Sequence, residues 1–177
     1  MSVFMGMNFS PHFKNFWEVP NLLMQKFPAE EFTATAKLKV SAKDDGQLSG
    51  LIIMGWDYSW IGVEKQEEKF LLKQAVCKDA EQGNLEQVST LAVLEPSRKF
   101  EAGLFPNYER EIYIRYMWTK GHIVALATVW MERNLRRPAR CSKPVRKWIG
   151  AKVGMFSVTP HGKERGWLDV DWFRVEK

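Results

Sequence analysis

Cysteine is scarce in this chain: Cys77 and Cys141 are the only two in 177 residues. Two are too few for a disulfide framework, and their spacing matches no zinc motif. Histidine is as thin, with His12, His122 and His161 scattered along the sequence, so no metal site is expected from them. No apolar run is long enough to span a bilayer, which argues against a membrane protein. The start, Met-Ser-Val-Phe-Met-Gly-Met, has no basic region, long apolar stretch or cleavage site, so as written it is not a signal peptide. That start fits an intracellular chain or one lacking its true beginning. No stretch holds a helical period. Acidic residues are few between 116 and 146, where seven Lys/Arg meet one Asp/Glu. The net charge of +5 therefore belongs to that segment, and the remainder is close to neutral. A nucleic-acid face would rest on this segment alone, so no nucleic-acid partner is expected.

What the chain does have is alternation. Phe32, Ala34, Ala36, Leu38 and Val40 alternate with Thr33, Thr35, Lys37 and Lys39, the pattern of a half-buried antiparallel strand. Residues 21–27 form a short apolar strand between prolines. Lys43-Asp-Asp-Gly46 reads as a tight turn, because Asp-Gly supplies left-handed positions. Residues 50–64 are apolar on both faces: Leu51, Ile53, Ile61 and Val63 on one, Ile52, Met54, Trp56, Tyr58 and Trp60 on the other. Residues 70–77 and 87–93 flank a turn as a hairpin, 99–104 is a short strand, and 111–115 begins another. Near the end, 147–154 and 167–175 alternate again, joined by a Pro- and Gly-bearing turn at 159–166. In the last strand Leu168, Val170, Trp172 and Arg174 share one face, and Asp169, Asp171, Phe173 and Val175 the other. Short strands with regular turn signals predict a single all-β domain of two antiparallel sheets, a β-sandwich.

Five stretches, in order, carry a resemblance: Asn21-Leu-Leu-Met-Gln-Lys-Phe-Pro28, Phe32-Thr-Ala-Thr-Ala-Lys-Leu38, Gly50-Leu-Ile-Ile-Met-Gly-Trp-Asp-Tyr58, Lys147-Trp-Ile-Gly-Ala-Lys-Val-Gly154 and Asp169-Val-Asp-Trp-Phe173. Together they resemble the C-terminal domain of glycoside hydrolase family 43, whose members are mostly β-xylosidases and α-L-arabinofuranosidases. The resemblance implies a concanavalin-A-like jelly roll appended to a five-bladed propeller. It implies that the acid and base carboxyls of glycosidase chemistry lie on the propeller. No catalytic residue and no cofactor is therefore expected here. The expected partners are the propeller catalytic domain and xylo- or arabino-oligosaccharides, and the parent enzyme could be secreted or periplasmic. Family members usually carry further Trp-rich strands ahead of the Asn21 region, so residues 1–18 read as a truncated or atypical segment before a sandwich spanning 19–177.

Between 116 and 146 the family pattern is lost. The first half is apolar without clear alternation, the second basic, and no glycine lies between Gly121 and Gly150. Met and Trp have single codons, which allows a test. Read from each third base, Met117-Trp118-Thr119 becomes Val-Asp and Trp130-Met131-Glu132 becomes Asp-Gly, both at family spacing. The segment thus reads as an out-of-frame stretch between compensating indels, with a poorly packed region expected there. DNA sequence across these codons decides between that and a genuine basic insertion.

Two sets of residues are candidates for binding. Trp56, Tyr58 and Trp60 stand at i, i+2 and i+4, a spacing that makes a flat aromatic row on a strand. Such a row can be sandwich core, the surface that meets the propeller, or a platform on which sugars stack. Asp169 and Asp171 share a strand face and read as solvated residues or as ligands of a structural calcium ion.

Overall fold

The computed structural model describes residues 2–9, 13–19, 22–102, 105–119, 122–128, 136–139 and 151–177. The strands are β1 (Ser2–Met5), β2 (Met7–Phe9), β3 (Leu22–Lys26), β4 (Phe32–Ala42), β5 (Leu48–Met54), β6 (Tyr58–Gln66) and β7 (Lys69–Cys77). Then follow β8 (Gln87–Leu94), β9 (Arg98–Ala102), β10 (Phe105–Thr119), β11 (His122–Thr128), β12 (Arg136–Ala139), β13 (Lys152–Pro160) and β14 (Trp167–Glu176). A short 3-10 turn at Ala80–Gln82 is the one helical piece among the described residues. Among those residues no helix is long and apolar enough to cross a membrane.

Two sheets result. Sheet A runs β1-β14-β4-β10-β11-β12 with β9 also on β10, and sheet B runs β2-β13-β5-β6-β7-β8 with β3 also on β13. Pairing is antiparallel except for the short β2–β13 contact, which is parallel. Residues of the 1–18 segment add a strand to each sheet. The turn expected at 43–46 forms, and Gly46 takes the positive φ of 86° that suits glycine.

The main core lies between the sheets. From sheet A it takes Ala34, Ala36, Leu38 and Val40 of β4, Ile112, Ile114, Tyr116 and Trp118 of β10, and Leu168 and Val170 of β14. Sheet B supplies Leu51, Ile53, Ile61, Val63, Phe70 and Leu72. Alternation does this work: one face of each strand is apolar, and burying a Leu- or Phe-sized side chain contributes about 1.5–3 kcal/mol.

Three departures from the sequence reading have physical reasons. First, residues 50–64 are not one strand. They are β5 and β6, a hairpin turning at 55–57 in which Met54 sits opposite Tyr58. Gly50 and Gly62 face each other across it, and a Cβ on Gly50 would come within 2.6 Å of the Gly62 Cα. Second, β10 runs straight through residue 116. Tyr116 is 0% and Trp118 5% exposed, so this start of the basic segment is well-packed core, against expectation. The inward row Ile112, Ile114, Tyr116, Trp118 keeps its period, and β11 and β12 extend the same sheet. Residues 120–121, 129–135 and 140–146 of the proposed out-of-frame stretch, with Cys141, lie outside the described residues, as do all of 147–150. Third, β14 is bulged: Val170 pairs with Leu38 but Trp172 pairs with Lys37. The extra residue reverses the faces beyond it. Phe173 and Val175, read as sharing a face with Asp169, pack on the core instead. Trp172, read as sharing a face with Leu168, lies on the outer side with Lys37.

Candidate functional site

The structure breaks up the aromatic row. Trp56 lies in the β5–β6 turn and is 38% exposed, whereas Tyr58 and Trp60 are 0% and 2% exposed. The two buried rings sit on the outer face of sheet B, in a second apolar cluster with Ile52, Met54, Phe156 and Val158. Their cover is the segment 13–19. Phe16 from that segment packs edge-on against Phe156 at 4.7 Å between ring centroids and lies 6.2 Å from Tyr58 and 6.1 Å from Trp60. Asn15 pins the segment down, its Nδ2 donating to the Ala80 and Asn84 carbonyls at 2.9 and 2.8 Å.

Beneath this cover sits a carboxylate that the sequence reading passed over. Glu86 Oε1 accepts hydrogen bonds from Tyr58 Oη at 2.5 Å and Trp60 Nε1 at 2.9 Å. Tyr58 Oη in turn accepts the Phe16 backbone N–H at 2.8 Å. Burial pushes the Glu86 carboxyl above its ordinary range, and the two donated hydrogen bonds oppose that shift. Burial, helped by the Glu86 charge, also raises the Tyr58 phenol, so it stays a donor. A cleft of about 190 Å³ opens beside them, lined in part by Phe13, Lys14, Glu64 and Glu86. No sequence pattern marks Glu86, which precedes β8 in a polar loop.

The two aspartates are held by lysines. Lys39 Nζ lies 3.0 Å from Asp169, and Lys37 Nζ lies 2.7 Å from Asp171. The hydrogen bond from Lys37 draws the Asp171 carboxyl below its usual range, and the Asp169 hydrogen bond raises Lys39. Among the described residues no group of three or more His, Cys, Asp or Glu is placed to hold a metal ion.

A second aromatic pair was also missed. The bulge that reverses β14 brings Trp172 to the outer face of sheet A, its ring 6.1 Å from that of Tyr113 on β10. Both are half-buried, with exposed Glu111, Arg115, Asp171 and Arg174 around them. The available signal was Trp172-Phe173 itself, since two adjacent large aromatics cannot both face a core.

The two packed sheets, with almost every pair antiparallel, define a concanavalin A-like β-sandwich. The chain matches the family model described as the β-xylosidase C-terminal concanavalin A-like domain over residues 5–176, and it belongs to that family. Solved structures share the fold at low identity. A family 43 glycoside hydrolase, BlXynB, from Bacillus licheniformis aligns with a TM-score of 0.67 at 16% identity, covering 98% of this chain and 32% of that one. Xylan β-1,4-xylosidase from Bacillus halodurans C-125 aligns at 0.71 and 16%, covering 99% and 32%. A functionally unknown protein from Saccharomyces cerevisiae aligns at 0.60 and 13%, covering 88% of this chain and 72% of that one. This chain thus spans about a third of the length of the two Bacillus proteins. No curated protein sequence matches it.

Proposed function

We propose that this sandwich is the non-catalytic C-terminal domain of a family 43 glycoside hydrolase acting on xylan- or arabinan-type polysaccharides. In this reading it supports a propeller domain that holds the catalytic carboxyls. The observation that carries it is the family match across residues 5–176 in a chain one third the length of the xylosidase it resembles. The carboxylates described above fit the same reading. Glycosidase chemistry needs an acid and a base facing each other across a sugar. Asp169 and Asp171 are each engaged by a lysine, and Glu86 is engaged by two donors beneath Phe16. The test is turnover of an aryl xyloside and an aryl arabinofuranoside. The chain alone is expected to give none. A family 43 propeller expressed without its own sandwich is expected to gain thermal stability when this chain is added. Turnover by the chain alone overturns the non-catalytic reading, and no gain by the propeller overturns the supporting role.

The second reading is a carbohydrate-binding module that works without a propeller. The Tyr113–Trp172 pair on the outer face of sheet A favours it, because two partly exposed rings, tilted 58° to each other, offer apolar contact to a sugar ring. Titration of the chain with xylo- and arabino-oligosaccharides separates the two readings.

A further inference from the structure

Strands β14, β4 and β10 lie side by side in sheet A, and their registers set the outer face in rows. Trp172, Lys37 and Tyr113 form one row, and Arg174, Thr35 and Arg115 form the next. The Arg174 guanidinium lies 4.7 Å from the centre of the Trp172 ring, and Arg115 Nε donates to Thr35 Oγ1 at 3.1 Å. Cations on this face differ in what neutralises them. Lys37 is paired with Asp171, and Lys39 with Asp169 and Glu109. Among the described residues neither Arg115 nor Arg174 makes an ion pair with a carboxylate. Two arginines with no acid partner among the described residues therefore flank one threonine hydroxyl, beside an aromatic pair. Their backbones are two strand spacings apart, about 10 Å, within which long side chains can converge on a single planar anion.

We propose that this face binds an oligosaccharide bearing a uronic acid, with a sugar ring against Trp172 and Tyr113 and the carboxylate between Arg115 and Arg174. Guanidinium matches a carboxylate through parallel N–H donors, which an ammonium does not offer. The aromatic pair supplies the apolar contact for the ring's C–H face. A nucleic acid fits less well, because the surface is mixed in sign and phosphate binding gains from many unpaired cations. The proposal rests on the second reading above, carbohydrate binding by the sandwich itself.

Calorimetric titration of the whole chain tests it, using xylotetraose with a glucuronic acid branch against unbranched xylotetraose. The branched sugar is expected to bind at least about tenfold more tightly, consistent with a charge-assisted pair, and that advantage is expected to shrink as salt rises from about 50 to about 500 mM. Arg115→Gln and Arg174→Gln are each expected to remove most of that advantage, weakening the branched sugar much more than the unbranched one. Trp172→Phe, which keeps a ring and preserves the fold, is expected to weaken both sugars alike. Equal affinity for the two sugars overturns the acidic specificity and leaves the sugar-binding reading standing. No binding of either overturns both, without touching the propeller-supporting reading. Tighter binding of single-stranded oligothymidine than of the branched sugar reassigns the face and overturns the proposal.

Discussion

Sheet B carries apolar layers on both of its faces, and the two are built differently. The layer toward sheet A is made mostly by alternation on alternation: Leu51, Ile53, Ile61 and Val63 meet Ala34, Ala36, Leu38, Ile112 and Ile114, and Phe27, just past the end of β3, packs on its margin. The outer layer is Ile52, Met54, Tyr58, Trp60, Phe156 and Val158, closed by the non-strand segment around Phe16. The first is mainly aliphatic where β4, β5 and β6 face each other, with Phe32, Phe70, Tyr116 and Trp118 completing it and the Tyr116 hydroxyl donating to the Ser59 carbonyl at 3.3 Å. The second is rich in aromatics and includes polar tips, so it needs partners for them: Glu86 for the Tyr58 hydroxyl and the Trp60 N–H, and Tyr58 for the Phe16 N–H. The inner layer satisfies its Tyr116 hydroxyl on a strand carbonyl already in place, whereas the outer layer needs a hydrogen-bond network closed by a remote segment.

The difference can be broken from either side. Ile61→Ala in the layer between the sheets is expected to cost the most, about 2–5 kcal/mol in chemical denaturation, because it opens a cavity that packed strands on both sides cannot fill. Phe16→Ala removes a larger ring yet is expected to cost less, about 2–3 kcal/mol, since a loop can settle where a strand cannot. Its signature is local: hydrogen exchange should speed up at residues 13–19 and stay slow in β5 and β6. A global loss equal to that of Ile61→Ala would make the two layers one unit.

Tyr58→Phe keeps the ring and deletes the hydroxyl that serves Glu86 and Phe16. A loss of about 1–2 kcal/mol is expected from the two groups left short of a partner. Glu86→Gln is the mildest change, because an amide oxygen still accepts from Tyr58 and Trp60. Its effect is in the pH profile. The Glu86 carboxyl is raised in the folded chain by burial, so its favourable contribution is full below the ordinary glutamate value of 4.5 and is lost as pH rises through the folded value. The melting temperature of the variant relative to the parent should therefore increase from about pH 4 toward neutrality. A difference that stays flat with pH would show that the Glu86 charge is not desolvated.

Much of the fold was legible because alternation is local. The inward rows of β4 and of the β5–β6 pair are correct residue by residue, as are the Asp45-Gly46 turn and the hairpin of β7 and β8. The family resemblance drawn from five short stretches agrees with the match over residues 5–176. The candidate site was less legible. Trp56, Tyr58 and Trp60 have the spacing of a row, but spacing does not report whether a remote loop covers it. The Trp172 assignment failed because one bulged residue shifts the phase of every side chain after it. Tyr116 and Trp118 were assigned to a segment that had lost its pattern, although their own two-residue period continued that of Ile112 and Ile114.

By itself the sequence determined the inward rows of β4 and of residues 51–63 and the turns at 43–46 and between β7 and β8, because a two-residue period and turn residues are written into neighbouring positions. Tertiary structure alone decided the rest. It laid Phe16 over Tyr58 and Trp60, placed Glu86 beneath them, and turned Trp172 outward to meet Tyr113 beside two arginines. Each of those depends on residues far apart in the chain, or on one residue of register, and neither leaves a local period to read.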